Sequence, residues 1–308
     1  MRGATIRSWA TALPDKIVTN VDLENTLDTS HDWIVERTGI HERRVGSSTS
    51  ELAIAAGAQA LERAGWSPDS VDLVVLATTS PDQQVPATAS TVQHALGLTC
   101  GAFDLNAACS GFVYALVAAH GFVGAGMDRI LVIGAETLSR ITDWDDRSTA
   151  ILFADGAGAV ALEAVDGPGE LLAWDLGSDG SLRHILDADI GGFLEMDGRE
   201  VFRRAVRVMV ASAETSFAQA GVTADDIAAV IPHQANIRII ESACAKLGIP
   251  MEKAVSVLHR TGNTSSASIP LALAEAADSG RIQAGDLVLL VGFGAGMTWA
   301  SAIIRWDP

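Results

Sequence analysis

The sequence predicts an α/β fold made of two similar halves, on three observations. Helix and strand signals alternate along the chain, the order in which helices cover a largely parallel sheet. The strand signals are short continuous apolar runs such as Leu73 to Ala77, the pattern of strands covered on both faces. The second half also echoes the first. Asp72 and Asp128 precede apolar runs 56 positions apart (128 − 72), and Asp226 and Asp286 do so 60 positions apart (286 − 226). Gly156-Ala157-Gly158-Ala159 and Gly294-Ala295-Gly296-Met297 each open a short strand near the end of a half.

Each element has a local reason. Ser48 and Glu51 form a capping box ahead of a helix over Leu52 to Arg63, which Gly65 closes. Leu73 to Ala77 is a buried strand. Pro86 is placed to start a helix that ends at Gly97. Ala102 to Leu105 reads as strand, Ser110 to Gly124 as helix and Ile130 to Ile133 as a further buried strand. Beyond a division near Asp166-Gly167-Pro168-Gly169, the strand Ile227 to Ile231, a helix over Arg238 to Leu247, a helix after Ile269-Pro270-Leu271 and the strand Leu287 to Leu290 follow. The halves, 1–166 and 167–308, are expected to pack as one layered unit.

Composition excludes several classes. The 308 residues carry a net charge of −17 and a pI of about 4.6, which argues against a general nucleic-acid-binding surface. Three cysteines without a CxxC spacing do not make a disulfide framework, and Cys100 and Cys109 are too far apart for the usual zinc pair, so no metal is expected. Met1 to Lys16 is interrupted by charges and Pro14, unlike a signal peptide. No run of 18 apolar residues occurs. The expectation is a soluble cytoplasmic protein.

Three polar residues stand at junctions of apolar elements. Cys109, in Asn106-Ala107-Ala108-Cys109-Ser110-Gly111-Phe112, lies where a strand runs into a helix. Unpaired N–H groups and the helix dipole there favour a thiolate, the nucleophilic form. The alternative is a buried inert thiol, which is the reading for Cys100 and Cys244. His233 follows a buried strand and Pro232, at the strand end where α/β sites gather. A structural core histidine is its alternative. Asn263, in Gly262-Asn263-Thr264-Ser265, reads alone as a turn residue capping a helix. Cys, His and Asn together point to thiol chemistry on an acyl group. Gly292-Phe293-Gly294-Ala295-Gly296 is a poor dinucleotide loop, since a strand and not a helix follows it. Its glycines suit bringing backbone N–H groups to a reacting oxygen.

These motifs, with Asp32-Trp33-Ile34-Val35-Glu36-Arg37-Thr38-Gly39-Ile40, His233-Gln234-Ala235-Asn236 and Gly292 to Trp299, resemble the β-ketoacyl-acyl-carrier-protein synthase III family of the thiolase superfamily over nearly the whole chain. The resemblance implies a thiolase-like fold, two duplicated halves in an α-β-α-β-α sandwich, and a homodimer. It implies condensation of an acyl-CoA with malonyl-carrier protein through an acyl-Cys intermediate, with no cofactor. By the same resemblance Cys109 is the nucleophile, and His233 and Asn263 hold the thioester oxygen of the malonyl unit. N–H groups of Cys109 and Ala295 form the oxyanion hole. Thr29, Trp33, Arg37, Arg147, Phe202 and Asn236 bind coenzyme A. Val85 and Phe293 border the acyl pocket, with Val85 standing where an aromatic often closes the partner subunit's pocket. Arg203, Arg238 and Lys246 meet the carrier protein. Arg199, Arg203 and Arg207, spaced by four, share one helical face and form a local cationic patch in an acidic chain.

Other readings remain open at this level. The same three residues could serve an acyltransferase that delivers the acyl group to an alcohol or amine without decarboxylation. A synthase priming a specialised polyketide pathway would look the same. A non-catalytic carrier-binding subunit would lack the nucleophile, and a papain-like protease would carry its own cysteine signature.

Overall fold

The computed structural model describes residues 2–308. Its first sheet has five strands: β1 (Arg2–Ala12), β2 (Leu73–Ala77), β3 (Gly101–Leu105), β4 (Arg129–Thr137) and β5 (Asp155–Asp166), in the order β1-β5-β4-β2-β3. The second has four: β6 (Leu171–Ser178), β7 (Ile227–Pro232), β8 (Leu287–Gly294) and β9 (Thr298–Arg305), in the order β7-β8-β9-β6. Each sheet contains a parallel pair, β2 with β4 and β7 with β8, and the strand on the other side of β4 and of β8, β5 and β9 respectively, is antiparallel. An isolated parallel bridge, Val230 to Ala254, stands on β7 where β3 stands on β2. The thiolase-like expectation is met: two similar sheets lie face to face with helices between and outside them.

The helices that matter are α1 (His31–Thr38), α2 (Thr49–Ala64), α3 (Thr88–Ala95), α4 (Gly111–Gly124), α5 (Gly198–Ala220), α6 (Ile237–Leu247) and α7 (Ser268–Asp278). Helices α4 and α7 fill the middle layer. Phe112, Val113 and Leu116 of α4 and Ile269, Ala272 and Leu273 of α7 share one core with Leu73, Val75 and Ile130 of the first sheet and Ile231, Val288 and Leu290 of the second. The alternate residues of β2, Val74 and Leu76, face Ala53, Ala56 and Ala60 of α2 on the outside. Helices α5 and α6 cover the outer face of the second sheet. Burial on both faces is why β2 reads as an unbroken apolar run. Each fully buried Leu, Ile or Val contributes about 1.5–3 kcal/mol relative to exposure.

Local signals placed most boundaries. Ser48 and Glu51 form the capping box of α2, and Gly65 ends it in the left-handed region at φ 68°. The helix expected from Pro86 begins instead at Thr88. Its first N–H groups are held by another element: Thr88 N and Ala89 N each donate to the Asp104 carboxylate of β3 at 2.8 Å, a cap that local sequence does not reveal. The Gly-Ala-Gly echo is also corrected. Pairing register places Gly156 of β5 in the position of Thr298 of β9, because Leu162 lies opposite Ile130 and Ile304 opposite Val288. Gly294 therefore corresponds to Glu136. The Asp128 and Asp286 echo survives this comparison, since each stands two residues before an equivalent strand position.

Candidate functional site

Cys109 sits in a single 3-10 turn, Ala108–Ser110, ahead of α4. Asn106 folds that turn by accepting from Ala108 N at 3.1 Å through its Oδ1. Ala108 takes the left-handed region at φ 49°, which costs a non-glycine residue roughly 1–2 kcal/mol. The turn lies against β8, where a Cβ on Gly294 would come 2.5 Å from Cys109 N. Only glycine admits this approach. Burial pushes the Cys109 thiol up to about 12, with the nearby charge of Glu136 adding to the rise and the Ser265 hydroxyl opposing it. The expected thiolate is therefore corrected for the resting protein: loss of hydration outweighs the helix end.

His233 is the first residue after β7, fixed by its N–H donating to Val291 O at 2.8 Å. Its ring meets Phe293 edge-on at a centroid distance of 5.4 Å. Burial lowers its pKa to about 3, so the imidazole is neutral at physiological pH. Nδ1 lies 2.7 Å from Ser268 Oγ, and Nε2 is buried without a partner among the described residues.

Asn263 is pinned by its backbone, which donates to Leu152 O and accepts from Ala154 N, each at 2.9 Å. Its Oδ1 accepts from Ser265 N at 2.9 Å. The amide N–H groups are what it can offer elsewhere. Cys109, His233 and Asn263 all line one cavity of about 460 Å³. The three residues singled out on separate junctions thus meet at one cavity.

Of the expected coenzyme A residues, Trp33, Arg37, Phe202 and Asn236 line the same cavity. Arg147 lies off that wall but puts its guanidinium 4.9 Å from the Trp33 ring centroid, and Arg37 lies at 5.3 Å, within cation–π range. Neither cation has a carboxylate at ion-pair distance among the described residues. Asn236 Nδ2 donates to Arg37 O at 2.9 Å, joining α1 to the start of α6. Thr29 is half-buried and does not line the cavity.

The remaining expectations divide. Arg238 lines the cavity and lies 5.7 Å from the Phe202 ring centroid. Arg203 lies away from the wall and donates to Glu200 of its own helix at 2.8 Å, and Lys246 is exposed in the last turn of α6. Arg199, singled out only for its helical spacing, lines the cavity. A second cavity of about 420 Å³ shares Cys109, Phe153 and Leu186 with the first and adds Leu138, Ile141 and Leu194. Ala295 lines this second cavity, whereas Phe293 lines the first. Val85 is 82 % exposed and lines neither.

Sequence reasoning missed Ser268 and Glu136. Glu136 is fully buried and accepts from Ser80 Oγ at 2.6 Å, Ser266 Oγ at 2.7 Å and Thr79 N at 3.0 Å. An acidic residue at the end of a buried apolar strand was the available signal, since such a group needs several donors. Ser268, in a run of serines, carried none.

The chain as a whole is similar to known proteins. Family models described as 3-oxoacyl-(acyl-carrier-protein) synthase III and its C-terminal region match residues 103–180 and 217–306. The chain is 49% identical over 320 residues to a β-ketoacyl-(acyl-carrier-protein) synthase III of Sinorhizobium medicae, covering 98% of this chain and 99% of the relative. It is 46% identical to one of Roseiflexus, covering 98% of each. Among solved structures, the 3-oxoacyl-(acyl-carrier-protein) synthase III of Aquifex aeolicus superposes with a TM-score of 0.97 at 44% identity, over 99% of this chain and all of that one. The priming β-ketosynthase of the R1128 polyketide pathway does so at 0.95 and 36%, over 100% and 97%.

Proposed function

The chain belongs to the 3-oxoacyl-(acyl-carrier-protein) synthase III family, and from that premise we infer how its own residues carry the reaction. It is a condensing enzyme that joins an acyl-CoA primer to malonyl-carrier protein, releasing coenzyme A and carbon dioxide and forming 3-oxoacyl-carrier protein at the start of fatty acid synthesis. The observation that carries the residue assignment is the single cavity lined by Cys109, His233 and Asn263.

In the first half-reaction, Cys109 Sγ attacks the thioester carbonyl. The thiol proton leaves with the departing coenzyme A sulfur, so the resting thiol is consistent with the balance of the step. Backbone N–H groups of Cys109 and Ala295 stabilise the tetrahedral oxyanion, each worth about 3 kcal/mol in such holes. Trp33, with Arg37 and Arg147 beside it, holds the nucleotide end of coenzyme A, and Phe202 and Asn236 border the pantetheine arm. Thr29 contributes from the edge of this group. The acyl chain occupies the second cavity, between Leu138, Ile141 and Leu194.

In the second half-reaction, malonyl-carrier protein enters by the vacated path. Loss of carbon dioxide leaves an enolate whose oxygen accepts from His233 Nε2–H and Asn263 Nδ2–H. The enolate carbon attacks the acyl-Cys109 carbonyl, and collapse expels the Cys109 sulfur, which takes up a proton. This route uses no metal or redox cofactor. Arg238, Arg199 and Lys246 supply positive charge for an acidic carrier, with Arg203 free to exchange its Glu200 partner.

We place the enzyme in the cytoplasm as a homodimer whose halves divide near residue 166. Among the described residues no helix is long and apolar enough to cross a membrane. Val85, Ile190 and Phe193 are exposed apolar side chains that a second subunit would cover, with Val85 then reaching the partner's acyl pocket. The test is intact-mass analysis of the enzyme and malonyl-carrier protein with a panel of acyl-CoAs. An acyl adduct on the enzyme with a 3-oxoacyl mass on the carrier is expected. An adduct that never condenses would overturn condensation in favour of transfer to an alcohol or amine.

A further inference from the structure

His233 can present either a proton or a lone pair to the cavity, and the difference decides whether it supports an enolate. The ring is neutral, since burial alone acts on it and no carboxylate contributes. Its surroundings are Phe293 of β8 edge-on, and Ser268 at the start of α7. The cavity that its side chain lines also holds Cys109 and Asn263. A neutral imidazole carries one hydrogen, and a neighbouring hydrogen bond sets which nitrogen holds it.

We propose that Ser268 is a positioning residue: its hydroxyl donates to His233 Nδ1 and so keeps the imidazole proton on Nε2, facing the cavity. Ser268 is fully buried, and His233 Nδ1, at 2.7 Å, is the only side-chain or backbone partner of its Oγ among the described residues. A buried hydroxyl has one hydrogen to place. If Nδ1 carried the ring proton and donated to Oγ, the serine hydrogen would lack an acceptor and Nε2 would lack a donor. If Ser268 donates, only Nε2–H stays unpaired, and that nitrogen is the one buried without a partner. The unpaired donor is then spent on substrate oxygen in the transition state, where such a bond accelerates the reaction. The opposite tautomer would turn a lone pair on a developing anion. The role of Ser268 in turnover rests on the condensation reading above; the tautomer itself does not.

The test uses the full-length enzyme, its Ser268→Ala and Ser268→Thr variants, and nitrogen-15 NMR of histidine-labelled protein, with the His233 signal assigned by its absence in His233→Gln. The wild type is expected to show Nε2 protonated and Nδ1 as acceptor. Ser268→Ala should shift that population towards Nδ1–H. It should lower malonyl decarboxylation and condensation by roughly 10- to 100-fold, while acylation of Cys109 stays within about twofold. Ser268→Thr should restore both readouts. A wild-type ring protonated on Nδ1 overturns the proposal, as does full condensation by Ser268→Ala. So does a parallel fall of acylation and condensation with the tautomer unchanged, which would mark a merely structural serine. Should the wild type acylate but never condense, the functional reading fails, whereas the NMR result still decides what Ser268 does.

Discussion

Two turns of the same shape meet in the middle layer, and only one of them carries a thiol. Asn106 accepts from Ala108 N, and Asn263 accepts from Ser265 N. Ala108 and Ser265 take the left-handed region at φ 49° and 47°, and each turn runs into a middle-layer helix. Equal spacing (263 − 106, 265 − 108) makes Ser266 the counterpart of Cys109 and Ser268 that of Gly111. Strand register makes His233 the counterpart of Ala77, and Gly292 that of Gly134. The carbonyls agree: Gly134 lies under Ser266 O and Gly292 under Cys109 O. Yet Ser266 gives its proton to Glu136 or to Ala77 O, whereas Cys109 opens onto two cavities. Duplication supplied one backbone device twice. On the roles proposed above, side chains then divide the labour: the nucleophile stands on the first turn, and the oxygen-holding pair, His233 and Asn263, on the second half.

The sharpest way to break this division is to exchange effects between the two turns. Cys109→Ala should abolish the acyl adduct in intact-mass spectra, while Ser266→Ala should retain it and lose about 1–2 kcal/mol of stability in urea unfolding as Glu136 loses a donor. An acyl group found on Ser266 would end the assignment. Next in size, Asn263→Ala should slow condensation by roughly 100- to 1,000-fold with acylation largely kept, as for loss of one oxyanion donor. Condensation at the wild-type rate would remove Asn263 from the enolate site.

Smaller effects sharpen the packing side of the comparison. Gly134→Ala drives a Cβ into the Ser266 carbonyl, whereas Gly292→Ala places one 3.6 Å from Cys109 O and 3.3 Å from the His233 Cβ. The former should cost about 1–3 kcal/mol by overpacking and the latter less. Equal losses in denaturant midpoints would contradict the contrast. The remaining effect is on pH dependence, read as a slope. His233 is held at about 3 in the fold, below its unfolded value near 6.5. Between those values the unfolded chain binds a proton that the folded one does not. Its contribution is therefore complete above pH 6.5 and is lost by up to about 1.4 kcal/mol per pH unit as pH falls towards 3. His233→Gln should flatten that part of the stability profile, and an unchanged slope would refute the buried neutral imidazole.

Much of this was legible in the sequence because it depends on nearest neighbours along the chain. Ser48 and Glu51 cap α2 wherever it packs, and the unbroken run Leu73 to Ala77 announces burial on both faces. Cys109, His233 and Asn263 stood out because each is a polar residue at the end of an apolar element. Other features depend on atoms far apart in sequence. Asp104 caps α3 across 15 or 16 residues, Glu136 reaches Ser266 across 130, and Ser268 reaches His233 across 35. The ionisation of Cys109 also belongs to the tertiary structure: the helix junction favours thiolate, and burial reverses the balance. The sequence by itself determined the periodicity, the duplicated halves and the residue types that chemistry requires. Only the folded chain decided which of two equivalent positions, 109 or 266, faces a cavity, which proton each buried group holds and how dry the site is, because those depend on desolvation and on contacts that form when the two halves close on each other.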